Sequence, residues 1–411
     1  RKHRVRHWVV RPWSLQLRQR NCRTNTQDLH RTFVRRRNRN FQSRHIRHGS
    51  NILLFINLIV QAFQRIHQRI DDSNKRFHMP MYNEGMTSIH PNLLIIDGFN
   101  LLYRAFHGNE PLTGPHGQPT GAIHGFLRSV AMLEKQYPGY TTVVTLDPFP
   151  AHMDQTLDSQ ISLPQNHWDK WNVPQLADLG QGPSRWAICP QYRGTRSDMP
   201  HDLRLQLVPL VLILHGRGVP MLQGNHFAEA DDLLATLATS AKTRGIPTVV
   251  CSGDKDVLAL VDDGAQCRVF NPNTNKEMRE KDVLEKYGVL PNKMEDFLAL
   301  MGDAVDNIPG VNKCGPKTAA KWLGLFGNLE GIIANADSIK GVVGEHLRAA
   351  IPNLPLSKSL TSLKRHLPLD FDAALRAPSQ DTALLTDMYT ALGMKSALAK
   401  LQTATTPSFQ P

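Results

Sequence analysis

Nine carboxylates between residues 97 and 306 fall where strands end and turns or helices begin: Asp97, Asp147, Glu229, Asp231, Asp232, Asp254, Asp256, Asp303 and Asp306. Singly, each has an ordinary explanation. An Asp after a strand stabilises a turn, and an acid opening a helix caps it or offsets its dipole. Gathered on one crevice, they would repel one another unless divalent cations neutralised them. An all-oxygen ligand set suits Mg²⁺ or Mn²⁺ better than zinc. Two such ions about 3.5–4 Å apart suit hydrolysis of a phosphodiester, one activating water and the other stabilising the leaving oxygen. In Glu229-Ala230-Asp231-Asp232 the outer two acids are three residues apart and share a helix face, whereas Asp231 projects differently. Asp303 and Asp306 repeat that spacing in the helical region.

The elements that must position these acids alternate from residue 91 onward. Leu93 to Ile96 reads as a buried strand ending at Asp97-Gly98, and Gly121 to Tyr137 carries the apolar period of a helix. Thr141 to Leu146 predicts a strand ending at Asp147, Asp202 to Leu214 a helix, and Val219 to Leu222 a short strand. Glu229 to Lys242 predicts a helix, and Thr248 to Cys251 a strand ending near Asp254 and Asp256. This is the pattern of an α/β domain with a mostly parallel central sheet and helices on both faces. Ligands bind such a sheet at the carboxyl ends of its strands, where Asp97, Asp147, Asp254 and Asp256 would converge. Beyond about residue 290 only short helices follow, broken at Pro309-Gly310, Gly315-Pro316 and Pro352, so a helical subdomain over 291–411 is expected after a core at 91–290.

Charge is a weaker guide than its +12 total suggests. Residues 1–90 hold 19 Lys and Arg against four Asp and Glu, which leaves 29 and 32 for residues 91–411. The basic excess is therefore N-terminal, in stretches such as Arg35-Arg36-Arg37-Asn38-Arg39. A phosphate-neutralising arm, a folded element, and an extension outside the fold, with Met86 as an alternative start, are all open; the last is expected. Five scattered cysteines without a C-x-x-C pair suggest neither a zinc site nor a redox dithiol, and they fit a reducing cytoplasm. The longest apolar run, Ile52 to Val60, is about half of what a membrane-spanning helix needs.

Several segments are recognisable in order: Leu93-Leu94-Ile95-Ile96-Asp97-Gly98, Tyr103-Arg104-Ala105-Phe106-His107, Pro119-Thr120-Gly121-Ala122, Tyr192-Arg193-Gly194-Thr195-Arg196, Ser252-Gly253-Asp254-Lys255-Asp256, and Phe297 to Asp303 continuing through Asp306 to Val311. Over about residues 92–147 and 185–400 the chain resembles the 5′-to-3′ exonuclease and flap endonuclease family, in particular the N-terminal nuclease domain of bacterial DNA polymerase I. The resemblance implies a PIN-like 5′ nuclease core and places the family's metal-binding acids on all nine positions. It implies a tighter ion region at Asp97, Asp147, Glu229, Asp231 and Asp254, with Asp232, Asp256, Asp303 and Asp306 completing a second. It also implies that Arg104, Arg193 and Arg196 act on the phosphate and that Arg185 and Tyr192 contact DNA, Tyr192 by stacking on an unpaired base.

The segment Ile308-Pro309-Gly310-Val311 to Gly315-Pro316-Lys317-Thr318 resembles the family's helix-hairpin-helix. Its glycines would admit a phosphate to the backbone, and Pro316 would start a helix whose free N–H groups favour an anion beside Lys317. The resemblance adds a K⁺ ion held by hairpin carbonyls. The implied partner is DNA carrying a 5′ single-stranded end, flap or nick. A separate DNA polymerase is expected as a further partner, and the protein as a monomer.

Two departures from the family stand out. Arg193 occupies the place of a family Lys, and about 30 residues near 148–184 lengthen the link before Tyr192. Two rival readings stay open: a catalytically weak or silent binder of branched DNA, and a metal-dependent phosphatase acting on small molecules.

Overall fold

The computed structural model describes residues 92–108, 110–148, 184–225 and 227–405. The expectations for residues 1–90, and for nearly all of the insertion at 148–184, lie outside these residues. Six strands, β1 (Leu93–Asp97), β2 (Thr141–Leu146), β3 (Met221–Gln223), β4 (Thr248–Cys251), β5 (Cys267–Asn271) and β6 (Lys276–Met278), join in the order β3-β2-β1-β4-β5-β6. All pairs are parallel except β5 with β6.

The helices are α1 (Gly98–Gly108), α2 (Gly121–Gln136), α3 (Arg185–Ile188), α4 (His201–Gly216), α5 (Ala230–Thr243), α6 (Glu280–Tyr287), α7 (Met294–Met301), α8 (Pro316–Phe326), α9 (Leu329–Ala334), α10 (Val342–Ala350), α11 (Leu354–Thr361), α12 (Phe371–Ala374), α13 (Thr382–Ala391) and α14 (Lys395–Thr405).

The unbroken apolar run of β1 follows from burial on both faces of the sheet. Leu93 and Ile95 point into a core with Leu233, Leu234 and Leu237 of α5, while Leu94 and Ile96 point into a second core with Phe126 of α2 and Leu207 and Leu210 of α4. The expected arrangement of helices on both faces is thus present. The third strand begins two residues later than its apolar residues predict, at Met221. The β5–β6 hairpin was not anticipated; its strands mix polar and apolar residues, and only the neighbouring β4 makes a strand of them.

Register aligns the strand ends. Asp97 pairs with Thr145, two residues before Asp147, and Ile96 pairs with Cys251, three residues before Asp254. Strand order reverses beside β1, since the chain moves outward through β2 and β3 and then returns to place β4 on the other side. A crevice opens at such a reversal.

The helical region is joined to the sheet through α7, whose Phe297, Leu298 and Leu300 share the first core with Trp322 and Leu323 of α8. The last helices return to the far face, where Leu384, Leu385 and Met388 of α13 join the second core. No helix among the described residues is long and apolar enough to cross a membrane. Among those residues Cys189, Cys251, Cys267 and Cys314 are free thiols.

The hairpin after α7 turns on two glycines. Gly302 has a φ of +71°, and the backbone there lies so close to Gly310 that a Cβ on Gly310 would fall 2.4 Å from Gly302 N and from Met301 C and O. The loop is then closed by mutual hydrogen bonds, Asp303 N–H to Ile308 O at 2.9 Å and Ile308 N–H to Asp303 O at 2.7 Å. Asp303 and Asp306 therefore sit on this loop and not on a helix face. Gly310→Ala is expected to lower stability by about 1–3 kcal/mol, whereas Gly315→Ala, whose Cβ would meet nothing within 4 Å, costs no more than about 1 kcal/mol. Urea denaturation of both variants measures the contrast.

Candidate active site

Asp97 ends β1 with its carboxylate only 5% exposed. The backbone N–H of Asn100 donates to its Oδ1 at 3.1 Å and the Ser252 hydroxyl to its Oδ2 at 2.7 Å. The same Ser252 oxygen accepts from Asp254 N–H at 3.1 Å, and Asn100 Oδ1 accepts from Gly253 N–H at 2.9 Å, so two polar side chains lace the end of β1 to the end of β4. Neither Asn100 nor Ser252 was singled out from sequence, although both lie within three residues of a chosen aspartate. Asp147, beyond β2, accepts from Ala230 N–H at 2.9 Å and so faces the N-terminal turn of α5.

Crowding of like charges shows in the acidities. Burial, then the charges of Asp147 and Asp254, push Asp97 up to about 7 against its two hydrogen bonds. Burial and the nearby Asp97, Asp254 and Asp147 hold Asp231 well above the usual carboxylate range. Burial, with Asp254, Asp306 and Asp303 acting in the same direction, raises Asp256 to about 8. Two overlapping sets emerge: Asp97, Asp147, Asp231 and Asp254 around the strand ends, and Asp256, Asp303 and Asp306 toward the hairpin, with Asp254 felt by both.

Lys255 closes on Asp303 at 2.8 Å. Burial works upward on Asp303, but this ammonium outweighs it and leaves the carboxylate below its ordinary range.

Asp232 departs from the expected ligand set. It is fully buried, and Arg185 grips it through two hydrogen bonds of 2.8 Å each. Its oxygens also accept from Glu229 N–H at 3.2 Å and Lys364 N–H at 2.9 Å. With four donors it has no lone pair to spare for an ion.

Arg185 is equally consumed. Its remaining N–H groups reach Glu229 Oε2 at 3.2 Å, Leu360 O at 3.0 Å and Ser362 O at 2.8 Å, and only 5% of the residue is exposed. All five guanidinium donors are thereby satisfied. The expectation that Arg185 contacts DNA is corrected: it is a buried brace between α5 and the loop after α11.

Tyr192 is corrected in the same way. It is 4% exposed, its hydroxyl donates to Glu229 Oε2 at 3.2 Å, and its ring packs with Ile308 and Leu360, so it presents no face to a base.

Arg193 stands between the two acidic sets. Its Nη1 lies 3.4 Å from Glu229 Oε1 and 3.9 Å from Asp147 Oδ2, and its Nε lies 3.7 Å from Asp306 Oδ2. The backbone there is left-handed, with φ of 56°, and its N–H donates to Asp306 O at 2.9 Å. Arg196, less buried, donates from Nε to Asp306 Oδ1 at 2.8 Å. Arg104 is exposed on α1, while Lys317 is exposed and Thr318 half-buried on the first turn of α8, for which Gly315 is the N-cap. Gly310 serves the close backbone packing of the hairpin, a different use from the phosphate approach expected of it.

Among the described residues no three His, Cys, Asp or Glu side chains close into a ready-made metal cage. Carboxylates that repel one another stand apart, and Arg193 lies among three of them. The donor set still fits a hard divalent cation: it is all oxygen, and the buried Glu229 Oε1 has no hydrogen-bond partner.

Two predictions follow from these contacts. A carboxyl whose pKa is raised by folding holds more protons folded than unfolded, so stability falls as pH climbs from its ordinary 3.8 through about 7 for Asp97. In EDTA, Asp97→Asn should therefore gain in Tm over the parent across that window; parallel Tm curves would contradict the assignment. Arg185→Met should cost about 3–5 kcal/mol by stranding Asp232, and adding Asp232→Leu should restore part of it. Urea midpoints of the single and double variants decide the matter.

Residues 92–161 and 162–288 match the family described as 5′-3′ exonuclease, N-terminal resolvase-like domain, and residues 289–382 match 5′-3′ exonuclease, C-terminal SAM fold. DNA polymerase I of Pseudomonas aeruginosa is 36% identical over 291 residues, which cover 68% of this chain and 28% of that protein. The chain thus spans little more than a quarter of that relative. The 5′-3′ exonuclease of Aquifex aeolicus is 32% identical over 311 residues, covering 75% of this chain and 94% of that one. Among solved structures, the T5 5′-exonuclease with bound divalent zinc shares the fold, at a TM-score of 0.50 and 22% identity over 76% of this chain and 97% of that one. With both halves of the described fold matched in order, the chain belongs to the 5′-3′ exonuclease family.

Proposed function

We propose that this protein is a divalent-metal-dependent 5′ nuclease that hydrolyses DNA phosphodiesters at 5′ ends, nicks or flaps in replication and repair. The observation that carries the reading is the gathering of Asp97, Asp147 and Asp254 beyond the β1, β2 and β4 ends with Asp231 of α5, where burial and then the neighbouring carboxylates hold Asp97 and Asp231 above the usual carboxylate range. Asp97, Asp147, Glu229, Asp231 and Asp254 would hold one Mg²⁺ or Mn²⁺ ion, and Asp256, Asp303 and Asp306 a second. Bound there, the ions would supply an activated water and charge stabilisation for the leaving oxygen. Zinc in the T5 5′-exonuclease is in keeping with a cation-binding role for this fold.

The chain's own residues divide the remaining work. Asn100 and Ser252 fix the Asp97 carboxylate against Asp254. Arg193 and Arg196 lie beside the acids with guanidinium groups suited to a phosphate, and the exposed Arg104 can steer the strand. The N-terminal end of α8, with Lys317 and Thr318, would grip the phosphates of duplex DNA without reading its sequence. A K⁺ ion on hairpin carbonyls belongs to the same reading, as do a partner polymerase and a monomeric, cytoplasmic protein.

The test uses a labelled 5′-flap duplex. Cleavage is expected with Mg²⁺, none in EDTA, and a fall in kcat of at least about a hundredfold for Asp254→Ala. Tight flap binding without any cleavage in Mg²⁺ would leave a DNA-binding protein in its place, and phosphate release from small esters without DNA binding would leave a phosphatase.

A further inference from the structure

We propose that Trp186 is the platform on which an unpaired base of the 5′ strand stacks beside the acidic site; this rests on the nuclease reading above. The burial of Tyr192 removes the aromatic that its position in the sequence favoured. Its ring packs against the Arg193 guanidinium, 5.2 Å from the centroid, and against Trp186 in a T-shaped contact, with centroids 5.6 Å apart and planes at 70°. Trp186 is the outer member of this row. It projects from α3 with 36% of its surface exposed, next to Arg185, which is held inside by five hydrogen bonds.

The row runs from solvent to the site: Trp186 against Tyr192, Tyr192 on Glu229 Oε2 at 3.2 Å, and Arg193 on Glu229 Oε1 at 3.4 Å. The exposed part of the indole leaves an apolar, π-bearing surface in water. A nucleobase would cover it. The occupant follows from the nuclease reading: Trp186 packs on Tyr192, whose ring carries the Arg193 guanidinium that lies 3.4 Å from Glu229 Oε1 at the acidic site, and an exposed aromatic beside such a site holds single-stranded nucleic acid without reading its sequence. Val305, 66% exposed on the hairpin loop, is the more exposed side chain but has no π face.

The experiment uses the full chain in EDTA and a flap duplex carrying a fluorescent adenine analogue at the base of its 5′ strand. The parent protein should quench the analogue. Trp186→Leu, which keeps apolar bulk against Tyr192 but removes the ring, should abolish the quench and weaken flap binding on the order of tenfold. Binding of a blunt duplex should stay unchanged, and Trp186→Phe should restore most of the quench. In Mg²⁺ the loss should appear in KM for flap DNA more than in kcat. Parental quench and affinity in Trp186→Leu, with flap cleavage intact, would overturn the role of Trp186 alone; failure of the parent to cut or bind flap DNA would overturn the nuclease reading and this proposal together.

Discussion

Negative charge gathered at one edge of a parallel sheet is the constraint to which the other features answer. Asp97, Asp147, Asp231 and Asp254 end up near one another because β1, β2 and β4 are in register and because α5 begins beside Asp147. Like charges at this separation, out of water, raise one another's pKa instead of ionising freely. The fold answers with cations placed at the rim. Arg185 neutralises Asp232 and part of Glu229, Arg193 lies among Glu229, Asp147 and Asp306, and Lys255 takes Asp303. Among the described residues none of Asp97, Asp231 and Asp254 forms an ion pair with a protein cation, although Arg193 is near enough to act on Asp231, and this inner group is where an added divalent ion would relieve the most repulsion.

The strand-end acids were legible because local rules place them. An apolar run followed by Asp-Gly, or by an aspartate before Pro148, signals a buried strand and its end, and parallel register does the rest. Asp231 and Asp232 show where local rules stop. Their helical offset correctly separates them, but which one faces the crevice depends on Arg185, 47 residues away in sequence from Asp232. Tyr192 poses the same problem: its burial is decided by Ile308 and Leu360, which approach it only after the hairpin and α11 have packed. A residue's own neighbourhood in sequence carries no information about such distant partners. The β5–β6 hairpin escaped notice for a related reason, since β4 supplies the edge that its mixed sequence needs.

Asp306 ties the two functional regions together. It sits on the hairpin loop, yet Arg193 and Arg196 both reach its carboxylate, and its carbonyl accepts from Arg193 N–H at 2.9 Å. Thr195 and Asn307 add bonds in both directions between the same loops, Thr195 to Val305 O at 2.9 Å and Asn307 to Gln191 O at 3.0 Å. The segment carrying Arg193 and Arg196 is thus fastened to the loop preceding α8.

That fastening gives an arginine at position 193 a physical consequence. A lysine has one ammonium and could pair with one acid at a time, whereas a planar guanidinium approaches Glu229, Asp147 and Asp306 together. The left-handed backbone at Arg193 directs the side chain inward while its N–H holds the hairpin loop, so position and charge are set by one residue. A phosphate entering the crevice would compete with three carboxylates for that guanidinium. Such a competition favours binding most when cations arrive with the substrate to take over the carboxylates, which couples the two halves of the site without any larger movement of the sheet.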